Sequence, residues 1–143
     1  MFNRLFFFFF CCFGGMSIQA QHTRFADAQA VAIRENKPIL LLLSGEDWCA
    51  PCVKLKKKVW NEPDFQDFIS KEFVRLELYI PKQGSYGPEW TVFKEYDELK
   101  NKYQAPFLPT ILVLTPNGEV IEKIANEFSK KTILTQLKAL LDS

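Results

Sequence analysis

Two cysteines, Cys49 and Cys52, stand two residues apart in the segment Trp48-Cys49-Ala50-Pro51-Cys52. Thiols at that spacing can close and reopen a disulfide, or they can share a soft metal ion. Redox work needs one of them as a thiolate, the form that attacks a disulfide. The apolar run 39–43 precedes the pair and a lysine-rich amphipathic segment follows it. Strand, short turn, then two cysteines at a helix start is the context that gives such a dithiol redox meaning. Unsatisfied backbone N–H groups and the macrodipole at a helix N-terminus favour negative charge, which points to Cys49 as the attacking sulfur. Pro51 fits within the first helical turn, where its missing N–H costs little.

The elements that must hold this dithiol can be read from periodicity. Residues 23–36 read as a helix with Thr23 as N-cap and Phe25, Ala28 and Ala32 on one face, stopped by Lys37-Pro38. Residues 39–44 are apolar without alternation, as in a central strand covered on both faces. Residues 45–48 make the turn, and a helix over 49–59 turns Cys52, Leu55 and Val59 inward and Lys54, Lys56, Lys57 and Lys58 to solvent. Pro63 opens a short helix burying Phe65, Phe68 and Ile69. Residues 73–80 alternate, with Arg75, Glu77 and Tyr79 forming the more polar face of a strand near an edge.

A loop over 81–88 leads to a helix over 89–104, with Val92, Tyr96, Leu99 and Tyr103 at core spacing. Pro106 and Pro109 break the chain before a strand at 110–114, and Pro116-Asn117-Gly118 turns it into a second strand at 120–125. Ser129 caps a last helix with Ile133, Leu137, Leu140 and Leu141 inward. The order is α, β, α, α, β, α, β, β, α: an α/β domain whose sheet of about four strands mixes parallel and antiparallel pairs.

The first twenty residues read differently. One positive charge in 1–4, an apolar stretch from Leu5 and small residues up to Ala20 are the layout of a secretory signal. The stretch is shorter than the ~20 apolar residues a spanning helix needs. The expected division is therefore a signal peptide at 1–20 and one domain at 21–143. Cleavage would remove Cys11 and Cys12, leaving Cys49 and Cys52, with 17 basic against 17 acidic residues. That balance offers no footprint for nucleic acid or an anionic membrane surface. A closed zinc site takes about four ligands, and to the two cysteines the domain adds a single histidine, His22. Copper(I) held by the two thiolates is the alternative from the binding class, although no methionine lies beyond Met16 to help it.

Taken together, Trp48-Cys49-Ala50-Pro51-Cys52 after a buried strand, Leu108-Pro109-Thr110 before a later one, the Asn-Gly turn and the closing helix resemble the thioredoxin-like superfamily. The segments Gly45-Glu46-Asp47-Trp48-Cys49 and Trp60-Asn61-Glu62-Pro63 look most like its exported thiol–disulfide interchange proteins. The resemblance implies a thioredoxin fold, no cofactor, and a monomer exported to the periplasm if the cell is Gram-negative. It implies an oxidoreductase, working as a reductant, in which Cys49 attacks a protein disulfide and Cys52 resolves the mixed disulfide. Trp48, Ala50, Pro51, Leu108 and Pro109 would meet the substrate, with Pro109 as a cis proline turning the Leu108 backbone toward Cys49. A redox partner would recycle the dithiol. Many relatives carry a buried carboxylate six residues before the first cysteine, where this chain has Leu43. Glu77 is the candidate proton acceptor in its place, although its position on an alternating strand reads first as solvated. Glu46 and Asp47 put negative charge near Cys49, which would raise its pKa.

Overall fold

The unbroken apolar run becomes strand β1 (Ile39–Gly45), and all seven of its residues are buried. A strand without alternation must have both faces covered, and the sheet order β2-β1-β3-β4 supplies that cover. The computed structural model describes residues 25–80, 82 and 90–143. The expected signal segment, Thr23, His22 and the 81 and 83–88 part of the expected loop lie outside the described residues, as does the side chain of Val92.

β1 runs parallel to β2 (Val74–Ile80) and antiparallel to β3 (Thr110–Leu114), which pairs antiparallel with β4 (Val120–Ala125). Because side chains alternate across a strand, β1 feeds two cores. Ile39, Leu41 and Leu43 pack with Ala28 and Ala32 of helix α1 (Phe25–Glu35) and with Tyr96 and Leu99 of α4 (Trp90–Lys102). Leu40 and Leu42 pack instead with Leu55 of α2 (Ala50–Leu55), Phe65 and Ile69 of α3 (Pro63–Glu72), and Ile133 and Leu137 of α5 (Lys130–Leu141). This is the mixed four-strand sheet with helices on both faces that the resemblance implies. Ser129 caps α5, its side chain accepting from the Thr132 N–H. Gly118, at φ +84°, turns the β3–β4 hairpin.

Three readings need correction. The dithiol helix is not α-helical throughout, because after Leu55 it widens into a π-helical turn over Lys56–Trp60. The wider turn brings Val59 and Trp60 inward together, and both are fully buried. On the polar face of β2, Glu77 is not solvated. Glu77 is 5 % exposed and ion-paired with Arg75, since β2 lies at the sheet edge but under α3 and the π turn. Leu141 is exposed rather than inward, lying in the last turn of α5, beyond the sheet's cover.

Candidate active site

The strand end and the turn after it set the dithiol. The Cys49 N–H donates to the Glu46 carbonyl at 2.9 Å, closing the turn, and the Val53 N–H donates back to the Cys49 carbonyl at 3.0 Å. Cys49 thereby becomes the N-cap of α2, with Pro51 in its first turn. Cys49 and Cys52 are joined by a disulfide, their Cα atoms 5.2 Å apart. Cys49 is 6 % exposed and Cys52 1 %, so both are buried in this form and Cys49 is not the exposed residue the resemblance implies. The Gly45 N–H donates to Cys52 Sγ at 3.2 Å.

Trp48 lies over the strand end. Its Nε1 donates to the Ile80 carbonyl at 3.1 Å, and its ring packs so close to Gly45 that a Cβ there would stand 2.8 Å from Cζ2. The indole is 46 % exposed and flanks the dithiol; Ala50 and Pro51 are exposed beside it. Across the sheet, Thr110 pairs with Leu43, which brings Leu108 and Pro109 to the end of β1 that carries the dithiol turn. The Leu108–Pro109 peptide bond is cis. Thr110 Oγ1 donates to the Phe107 carbonyl at 2.6 Å, and Lys123 Nζ donates to the Tyr103 and Gln104 carbonyls, so both ends of the Pro106–Pro109 loop are tied down.

Glu77 does not share the Leu43 surroundings. It lies in register with Leu42, on the α2–α3 side, whereas Leu43 belongs to the core under α1 and α4. Arg75 links Glu77 to Gln66 and stacks over the Trp60 ring, and Lys56 Nζ bonds Tyr79 Oη at 3.1 Å. Two of the four lysines read as solvated thus have partners: Lys56 on Tyr79, and Lys54 over the Phe128 ring.

Sequence reasoning passed over two features. Phe107 is 63 % exposed next to Leu108, and its one signal was an aromatic between two prolines. A cleft of about 360 Å³ opens between Gly45–Asp47 of the dithiol turn and Val53, Lys56 and the cap residue Asn61. It follows from the turn's path and has no linear motif. Among the described residues no group of three or more His, Cys, Asp or Glu could hold a metal ion.

A paired-cysteine helix start against a proline loop, at one end of a mixed sheet, defines a dithiol protein of thioredoxin architecture. The chain belongs to the thioredoxin-like domain family, whose model matches residues 25–141. It is 26 % identical over 107 residues to the disulfide bond reductase DsbH of Chlamydia pneumoniae, covering 75 % of this chain and 63 % of that protein. It is also 26 % identical over 106 residues to the thioredoxin-related protein DsbJ of the same organism, covering 73 % of this chain and 30 % of that one. The chain thus spans less than two thirds of either relative's length. In three dimensions it superposes on a DsbH oxidoreductase with a TM-score of 0.74 at 22 % identity, over 88 % of this chain and 89 % of the other.

Proposed function

We infer that this chain is an exported thiol–disulfide oxidoreductase that reduces protein disulfides. The observation that carries the reading is the Cys49–Cys52 disulfide at the strand end that also receives Leu108 and Pro109. Cys49 as thiolate attacks one sulfur of the substrate disulfide and releases the other as a thiol. Cys52 then attacks Cys49 Sγ, freeing the second substrate sulfur and leaving the Cys49–Cys52 disulfide. A redox partner returns two electrons to reset it. Trp48, Ala50, Pro51, Leu108 and Pro109 form the contact surface for the substrate segment.

The reductant direction is supported by the likeness to DsbH, a disulfide bond reductase. The copper alternative draws nothing from these relatives, a disulfide bond reductase and a thioredoxin-related protein. The test is equilibration of the couple against a dithiothreitol and glutathione series. A reductant should lie nearer the ~−270 mV of thioredoxin than the ~−120 mV of a strong oxidant. A value at the oxidising end would reverse the assigned direction. Residues 1–20 are the export signal in this reading and 21–143 the working domain. Material from the native compartment should begin near Gln21 by N-terminal sequencing, and a full-length species that needs detergent would show a retained anchor instead.

A further inference from the structure

The side chains around the Cys52 sulfur offer it little help. Leu55, on the inner face of α2 with Cys52, is buried and apolar, and the buried Ser44 hydroxyl donates to the Gly45 carbonyl. Among the titratable groups of the neighbouring elements, Glu46 and Asp47 are exposed in the turn. Lys56 of the helix is bonded to Tyr79 of β2, and Glu77 of β2 is held by Arg75. The donor that does reach the sulfur belongs to the backbone: the Gly45 N–H, 3.2 Å from Cys52 Sγ. It stands on the last residue of a fully buried strand, so the sheet fixes its direction and no rotamer has to be ordered.

We propose that the Gly45 N–H is the catalytic donor that stabilises the Cys52 thiolate when the mixed disulfide is resolved. The proposal rests on the disulfide-exchange reading above. In that step the Cys52 thiolate forms a bond to Cys49 Sγ and the Cys49–substrate bond breaks. The pair of electrons leaves with the substrate sulfur, which takes up the proton that Cys52 gave away. A hydrogen bond to the charged form favours that form, so the N–H assists the step in which Cys52 must be a thiolate. Glycine is needed there for closeness: a Cβ at 45 would stand 2.6 Å from Cys49 Cβ and push the dithiol turn off the donor.

The test begins with the Cys49→Ser protein, in which Cys52 titrates alone. Proton and nitrogen shifts of the Gly45 amide, followed from pH 6 to 11, should move with the same midpoint as the Cys52 Cβ resonance. A Gly45 amide that stays flat while Cys52 titrates overturns the assignment. A second arm uses the full chain, ligated at Cys49, with glycolic acid in place of Gly45, so that an ester oxygen replaces the N–H alone. Resolution at pH 7 should slow about tenfold, with the midpoint of its pH profile raised by about one unit. An ester protein with the native circular dichroism and an unchanged profile also overturns it. If the wild-type chain formed no mixed disulfide with any protein disulfide, the exchange reading would fail by itself, while the Gly45 titration would still decide whether the donor serves Cys52.

Discussion

A methyl group at position 45 would meet Cys49 Cβ at 2.6 Å and the Trp48 ring at 2.8 Å, and both neighbours are held in place. Trp48 is pinned through Nε1 to the Ile80 carbonyl, and Cys49 is tied into the turn by its own N–H and by the disulfide. Gly45→Ala should therefore cost about 1–3 kcal/mol, the usual penalty for overpacking. A urea melt followed by tryptophan fluorescence measures it, and an unchanged midpoint would mean that the turn yields freely. The dithiol itself was legible in the sequence because cysteine spacing is a local fact and its meaning depends on flanking periodicity. Gly45 was not, since a lone glycine between a strand and a turn says nothing of what lies above it. Phe107 stayed hidden for a similar reason: its exposure is decided by how the Pro106–Pro109 loop crosses the sheet end.

Among the elements, β1 was the easiest to read. Four consecutive leucines cannot alternate, so they require two covered faces, and the strand divides them between two cores. The π-helical turn after α2 was invisible because Val59 fits an α-helical face as well as a π one; Trp60 turns inward beside it only in the wider turn. Glu77 misled for a related reason. Alternation locates the two faces of a strand without saying which is covered, and α3 with the π turn covers the polar one.

The start of α5 is tied to the start of α3 by Lys130, whose Nζ lies 2.7 Å from Asp64 Oδ2 and 3.5 Å from Glu62 Oε2. That hydrogen bond holds the Asp64 carboxyl below its usual pKa of 3.8. A folded-state value below the unfolded one contributes stability that is present above the ordinary carboxylate range and is lost as pH falls through the lowered value. Asp64→Asn should accordingly lower the melting temperature slightly near neutrality. The difference should disappear at pH 2, and at neutral pH in strong salt, because the pair is exposed. Thermal melts across pH 2–7 at two salt concentrations measure this. A difference that persisted at pH 2 would assign the effect to something other than charge.

For the molecule as a whole, the sheet order places the β1 end, the dithiol turn and the Leu108–Pro109 segment together, although Cys49 and Pro109 are far apart in sequence. The central claim is that this end of the sheet captures disulfides through Cys49 and releases them through Cys52. Trapping with the two single-cysteine variants tests it most directly. Each is incubated with a reduced-state-competent mixture of disulfide-containing proteins, quenched in acid, and resolved on non-reducing gels with mass mapping of the linked cysteine. Cys52→Ser should accumulate mixed disulfides through Cys49, because the resolving sulfur is gone, and Cys49→Ser should trap almost none, because Cys52 is 1 % exposed. Equal trapping by both variants, or accumulation through Cys52, would contradict the account.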